Sequence, residues 1–281
     1  MPESPIGLTR SPHDWLPHPL HSAVHSSHGE QLVLLGDCLD LLRAMQPGSV
    51  DVVVTSPPYN IGIGYGRHAD CMPEAEYLGW LDTVWAEVAR VLKPRGSFFL
   101  NLGGTSRDPG LPLRTGLAAC RRFVLQNHIV WAKSVSIGAV THGHFKPINS
   151  RRYLNATHEQ LFHLTRTGEV ELDRLAIGVE FADKSNIARW GHARDRRCAG
   201  NVWFVPYETV RSRAQKFHHP AGFPSALPER CIRLHGATNP LVLDPFAGTG
   251  STLVACKAIG CRGIGMELDP TYCAAAAARL G

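Results

Sequence analysis

Residues 239–260, NPLVLDPFAGTGSTLVACKAIG, leave room for few folds. Leu241, Val242 and Leu243 form a short apolar run without the polar alternation of a half-exposed strand, so they read as a strand buried on both faces. Gly248 and Gly250 then make a turn, STLVACKAI reads as a helix, and Gly260 closes it. A strand buried on both faces needs helices above and below its sheet, which points to a parallel α/β layering.

The rest of the chain repeats that unit. QLVLLGD (31–37) and SVDVVVT (49–55) read as strands, with a short helix over CLDLLRAM between them. Tyr77, Leu81, Val84, Val88 and Val91 recur at helical spacing, and Pro73 suits the first turn. SFFLNLG, FVLQNHIVWAK (123–133), HEQLFHLT (158–165) and CRGIGMELD are further strands, and Asp269-Pro270 opens a last helix over TYCAAAAARL. Alternation of this kind predicts an α/β fold with a doubly wound, mostly parallel sheet. The pattern weakens after residue 165. We therefore expect a catalytic α/β domain over 29–165 and 217–281, an inserted region over 166–216, and a flexible or loosely docked arm over 1–28. The arm holds five histidines without ligand spacing, so no metal site is read there.

A chain of 281 residues that is 44% apolar can bury the core of one large domain. No apolar run approaches the roughly 20 residues of a membrane span, so no membrane partner and a cytoplasmic location are expected. Eight cysteines occur without a CxxC pair, as expected for buried free thiols in a reducing compartment. A net charge of +5 is compatible with a polyanionic partner.

The glycine turn has the character of a nucleotide site. Glu267 ends the next strand, 19 residues past Gly248, near the roughly 20-residue interval at which an acid meets a ribose. The stretch lacks the third glycine of a dinucleotide turn, and Asp244 would repel a pyrophosphate. A carboxylate there suits a ligand with an ammonium and a sulfonium, such as S-adenosyl-L-methionine. The alternative is a glycine turn used only for packing.

TSPPYN (55–60) ends the strand 49–55 at the same carboxyl edge, where open parallel sheets bind ligands. The exocyclic amine of a nucleobase is a poor nucleophile because its lone pair is delocalised into the ring. The Ser56 hydroxyl and the Pro57 carbonyl can accept its hydrogens, Pro57 and Pro58 hold those oxygens in place, and Tyr59 can stack on the base. Stacking of this kind contributes roughly 1–3 kcal/mol, against the few kcal/mol spent extruding a base from a duplex. The alternative is a strand-ending turn with a packed tyrosine.

Taken with HPAGFPSALPER, LDPFAGTGSTLVA and GIGMELD, this stretch resembles the amino-methylating DNA methyltransferases of the beta arrangement, in which the catalytic motif precedes the cofactor motif. The resemblance covers 31–165 and 200–281 and includes GDCLDLL, RVLKPRGSFFL, IVWAK, HEQLFHL and NVWFVP. It implies a Rossmann-like methyltransferase fold with circularly permuted motif order, S-adenosyl-L-methionine as cofactor and double-stranded DNA as partner. A cognate restriction endonuclease and a second copy of the chain are the further partners it allows. Catalysis falls to Ser56, Pro57, Pro58 and Tyr59. Asp37 is implied near the cofactor adenine and Glu267 near the ribose. Asp244, Pro245, Phe246, Ala247, Gly248, Thr249 and Gly250 are implied around the methionine part. A segment containing His219 and Phe223 is implied to close the pocket.

Serine before Pro-Pro-Tyr favours N4 of cytosine, with N6 of adenine as the alternative. No Pro-Cys pair supplies the nucleophile that C5 methylation needs. An RNA methyltransferase and a catalytically silent binding module are further alternatives, against which the motif order and the intact SPPY respectively speak. Region 166–216 is expected to recognise the target. Arg189, Arg194, Arg196, Arg197, Arg211 and Arg213 are its candidate DNA contacts, among Trp190, Trp203, Phe204 and Tyr207. Pairing of these arginines with Asp183, Asp195 and Glu208 is the plainer alternative. Residues 61–71, IGIGYGRHADC, are expected to form a mobile flap over an extruded base, or else a static turn.

Overall fold

Residues 50–55 and 241–244 lie side by side at the centre of a nine-stranded sheet, as doubly buried strands should. The computed structural model describes residues 15–65, 68–189, 194–207 and 222–281. A 3-10 turn (His18–Ala23) leads into β1 (Val24–His28) and β2 (Gln31–Leu35), and α1 (Cys38–Ala44) connects to β3 (Val50–Thr55). A small hairpin of β4 (Gly64–Tyr65) and β5 (His68–Ala69) precedes α2 (Glu74–Val91) and β6 (Leu92–Leu102). Next come α3 (Leu111–Ala119), β7 (Val124–Ala132), a hairpin of β8 (Ser134–Ile137) and β9 (Val140–Gly143), and β10 (His158–Thr165). The last part holds α4 (Ser185–Arg189), β11 (Val202–Phe204), α5 (Ala226–His235), β12 (Leu241–Asp244), α6 (Ser251–Ile259), β13 (Arg262–Glu267) and α7 (Pro270–Leu280).

The sheet order is β1-β2-β13-β12-β3-β6-β10-β7-β11. Five of its strand pairs are parallel and three antiparallel. Val53 faces a core built with α1, α2 and α3, while Val52 and Val54 face a core built with α5 and α6. That two-sided alternation makes the sheet doubly wound and explains why β3 carries no polar face. Burying each such valine is worth about 1.5–3 kcal/mol.

Three features depart from the sequence reading. The arm does not extend to residue 28: Leu16 and Leu20 are buried in the first core, and β1 pairs antiparallel with β2. Residues 15–28 thus cover the edge of the sheet that β2 would otherwise expose. The inserted region does not run unbroken to 216 either, because β11 pairs parallel with β7 and Trp203 is buried beneath it. Finally, α3 was hidden by its own composition. Gly110, Pro112 and Gly116 are poor helix formers, yet a Cβ on Gly116 would sit 2.2 Å from the ring of Phe162. The glycine there lets the helix approach the sheet.

Candidate active site

The motifs 55–60 and 244–250 are fastened to each other by one buried carboxylate. Register places Leu243 beside Val53, so both chains leave the carboxyl edge together. Thr55 Oγ1 donates to Asp244 Oδ1 and Thr252 Oγ1 to Asp244 Oδ2, each at 2.6 Å, and Phe246 N donates to Oδ1 at 3.1 Å. Burial raises the Asp244 pKa to about 6, with the threonine hydroxyls acting against it. Asp244 does line the cleft. Its oxygens also take the two threonine hydroxyls, so the carboxylate has a structural part beside the one expected from sequence.

Beyond Thr55 the chain is held from several sides. Tyr77 OH on α2 donates to Pro58 O at 2.7 Å. Asn60 adopts a φ of 58°. Its side chain donates to Met72 O and accepts from Met72 N, both at 2.7 Å. Buried Asp70 accepts from the backbone N–H groups of Asn60, Ile61 and Ile63 at 2.6, 3.1 and 2.9 Å. The expected flap is therefore clamped at its root. Residues 66–67 lie outside the described residues.

Ser56 belongs to a polar network. Its Oγ lies 2.6 Å from Tyr59 OH. Tyr59 OH donates to Glu159 Oε2 at 3.0 Å. Asn101 Nδ2 donates to that same oxygen at 2.7 Å and to Tyr59 OH at 2.9 Å. Lys133 Nζ pairs with Glu159 Oε1 at 3.1 Å. The order of protons follows. A carboxylate only accepts, so the Tyr59 proton points at Glu159 and the phenol oxygen is left as an acceptor. Ser56 then gives its own proton to Tyr59 and keeps lone pairs for the cleft. Burial and the Glu159 charge push the Tyr59 pKa well above the ordinary tyrosine value, which keeps the phenol protonated. A Cβ on Gly103 would lie 2.6 Å from Tyr59 Cε2 and 3.1 Å from Glu159 Cδ, so this network has room only beside a glycine. Asn101 Oδ1 is buried in the cleft wall with no hydrogen-bond partner.

The cleft encloses about 1260 Å³, open solvent included. Trp80 and Phe246, edge to face at 5.6 Å, form one apolar wall, and Met266, Leu268 and Tyr272 line it as well. Glu267 Oε2 accepts from Gly248 N at 2.9 Å and Oε1 from Asp269 N at 2.8 Å, while burial raises its pKa. Asp37, Phe223, Pro245, Ala247, Gly248 and Thr249 line the cleft, as do Ser56, Pro57, Pro58 and Tyr59. Asp37 also caps α1 through Leu39 N at 2.8 Å. Gly250 does not line the cleft. At a φ of 76° it caps α6, and a Cβ there would come within 3.0 Å of Ala276 Cβ. His219 lies outside the described residues. Cys38 lines the cleft, but burial and Asp37 push its thiol up to about 12, which disqualifies it as a nucleophile at neutral pH.

The arginine cluster divides. Arg196 Nη1 donates to Gly178 O at 2.8 Å, and Arg197 pairs through its backbone with Val179. Arg194 and Arg197 are exposed, Arg189 ends α4, and Arg211 and Arg213 lie outside the described residues, as do Trp190 and Glu208. Asp195 pairs with Lys184, and Asp183 accepts from Ser185 N. Trp203 is in the core with Nε1 bonded to Gly200 O, and Tyr207 lines the cleft. Five of the eight cysteines are buried, whereas Cys71 and Cys198 are exposed. No helix among the described residues is long and apolar enough to cross a membrane.

Sequence reasoning passed over Asn101, Lys133 and Glu159 as site residues, although all three stand inside stretches it singled out. Only Asn101 carried a signal, a polar residue near the cleft end of the apolar run SFFLNL.

A family model described as DNA methylase, N6_N4_Mtase, matches residues 50–278. The chain is 28% identical to the type II methyltransferase M.ScaI of Streptomyces caespitosus, over 89% of this chain and 81% of that protein. It is also 28% identical to the DNA adenine methyltransferase YhdJ of Escherichia coli K12, over 85% and 79%. Among solved structures it superposes on the PvuII cytosine-N4-specific DNA methyltransferase with a TM-score of 0.68 at 22% identity, covering 90% of this chain and 87% of that one. It superposes on TTHA0409 of Thermus thermophilus, complexed with S-adenosyl-L-methionine, with a TM-score of 0.59 at 26% identity, covering 88% and 92%. The matched model spans well over half of the chain, which therefore belongs to the N6/N4 DNA methylase family.

Proposed function

We propose that this protein moves a methyl group from S-adenosyl-L-methionine to the exocyclic N4 of a cytosine turned out of duplex DNA. The observation that carries the reading is the ordered chain Glu159–Tyr59–Ser56, which leaves Ser56 Oγ an acceptor at the cleft. An acceptor there draws on an amine hydrogen and pulls the nitrogen lone pair out of ring conjugation. Asn101 Oδ1, buried in the cleft wall without a partner, is a second acceptor for an N–H.

The residues present fit the cofactor. An apolar wall of Trp80, Phe246, Met266 and Leu268 suits a flat purine, and Glu267 and Asp37 offer acceptors to hydroxyl and amine hydrogens. When bound, S-adenosyl-L-methionine supplies an electrophilic methyl group. The chain itself positions the acceptor amine, holds the Ser56 proton on Tyr59, and keeps water from the apolar wall. The exposed arginines Arg194 and Arg197 are offered to the phosphates of the DNA.

Cytosine is preferred to adenine on serine standing before Pro-Pro-Tyr, and the structural similarity to a cytosine-N4-specific methyltransferase supports it. The second reading, N6 of adenine, is supported by the similarity to an E. coli relative named as an adenine methyltransferase. The test is to incubate the pure protein with S-adenosyl-L-methionine and mixed-sequence duplex DNA, then digest to nucleosides for mass spectrometry. N4-methylcytosine is expected. N6-methyladenine would overturn the cytosine assignment alone, and cofactor binding without either product would overturn turnover on DNA.

A further inference from the structure

Between β7 and β10 the chain leaves the sheet for residues 134–157, and nothing in the function above uses them. They leave from the site edge. β7 ends at Ala132 opposite His158, and the next residue, Lys133, is the ion partner of Glu159. The stem is pinned there, since Lys133 N and Ser134 N both donate to Thr157 O at 2.8 and 3.2 Å. Gly143, at a φ of 76°, packs so tightly that a Cβ would fall 2.2 Å from Lys133 O. The excursion is thus a built projection with a fixed root.

Its surface has two parts. The β8–β9 hairpin turns at Gly138 and carries Ile137 and Val140 at its tip, 68% and 56% exposed. Its strands pair only with each other. The return segment carries Lys146, Arg151 and Arg152, all exposed. Residues 134–157 contain no aspartate or glutamate. Two copies of such a projection would repel, whereas a polyanion with an apolar interior satisfies both parts at once. A DNA groove offers phosphates at its rim and base edges and methyl groups within.

We propose that residues 134–157 form a DNA-contacting arm separate from the arginine region, with Lys146, Arg151 and Arg152 on phosphates and the Ile137–Val140 tip against bases in a groove. Apolar wedges of this kind can unstack a base step, and the root of this one lies at Lys133, the ion partner of Glu159 in the cleft wall. The proposal rests on the reading of the protein as a DNA methyltransferase.

The test is binding of the full-length protein to a mixed-sequence duplex across a salt series. Each phosphate contact contributes about 0.9 to the slope of log affinity against log salt. The triple variant K146A/R151A/R152A should therefore bind with a slope shallower by about 2–3 and leave the melting temperature unchanged, because all three side chains are exposed. The double variant I137S/V140S should weaken binding about tenfold at unchanged slope. An unchanged slope in the first variant, or unchanged affinity in the second, overturns the proposal. If the parent protein still methylates DNA, the functional reading survives that result. A parent that binds cofactor but no duplex overturns both.

Discussion

One face of β6 and one face of β10 carry two serine-centred clusters. Ser97, Phe99 and Asn101 share a face of β6, and Glu159, Leu161 and His163 share the matching face of β10. At one level His163 Nε2 lies 3.0 Å from Ser97 Oγ, His235 Nδ1 lies 2.9 Å from it, and Asn127 Nδ2 lies 3.0 Å from His163 Nδ1. Toward the carboxyl edge, Asn101 and Glu159 hold Tyr59, and Tyr59 holds Ser56. By residue type the first cluster has the more catalytic look, a serine between two histidines. It is closed: Ser97 and His163 are buried, and Phe99 stacks on the His163 ring at 4.6 Å. The second has no histidine, but it opens on the cleft and keeps one acceptor, Asn101 Oδ1, without a partner. The first network is complete and closed, whereas the second, in the cleft wall, is left incomplete at one buried acceptor.

The comparison breaks most sharply at the serines. Ser56→Ala removes the oriented acceptor and should lower the rate of methyl transfer about 10²–10³-fold, as loss of one oriented hydrogen-bonding group does elsewhere. The melting temperature and cofactor affinity should stay near those of the parent. Single-turnover methylation beside a thermal melt reads both. Ser97→Ala should do the reverse. It strands two histidine nitrogens inside the protein and should cost about 2–3 kcal/mol of stability, with turnover of the folded protein unchanged. If Ser97→Ala slowed chemistry at full occupancy of the folded state, the two clusters would not be separable.

Acid sharpens the same contrast. Burial, and secondarily the nearby His235, push the His163 pKa down to about 3. His235 is itself lowered by burial, with Lys93 acting in the same direction and Asp51 against it. In the unfolded chain a histidine takes up its proton near 6.5. Between those values the unfolded state holds the extra proton, so stability rises with pH and is lost as pH falls from about 6.5 towards 3. The loss attributable to His163 should reach a few kcal/mol at the bottom of that window. Denaturant melts at pH 7 and pH 5 on the parent and on a His163→Asn variant check it. Equal pH dependence in the two would show that the closed cluster is not the acid-sensitive part.

Much of the sheet's central half could be read from sequence for a simple reason. Strands buried on both faces admit only apolar residues, and parallel strands must end in turns, so β3, β12 and β13 and the motifs after them announce themselves. Asp269 and Pro270 likewise cap α7 as their residue types require, with Asp269 accepting from Thr271 N at 2.8 Å. What escaped was set by contacts distant in sequence. The sheet pairing of residues 24–28 depends on β2, the helix at 111–119 on the room Gly116 makes for Phe162, and the place of Trp203 on β7. In the site, Ser56 and Tyr59 were legible because they stand in one rigid motif. Glu159 was not, because its partners lie 26, 58 and 100 residues away. Asp244 was placed at the right edge, but its bond to Thr55 spans 189 residues and leaves no local signal.

The finest cut separates the acceptor from the groups that orient it. Tyr59→Phe keeps the ring but removes the oxygen that takes the Ser56 proton, and Glu159→Gln keeps the shape but removes the charge that fixes the Tyr59 proton. Neither change removes Ser56 Oγ, so each should cost about tenfold in kcat, or about 1.4 kcal/mol in barrier, well short of Ser56→Ala. KM for DNA should move little, because the lost interaction orders a proton and does not hold the substrate. Non-additivity gives the stronger test. If the two residues act only through the serine, adding either change to Ser56→Ala should produce no further loss, since the proton they order is already gone. A full additional tenfold loss in the Ser56→Ala background would mean that Glu159 or Tyr59 meets the base directly, and the ordered chain would then have to be redrawn as two independent contacts.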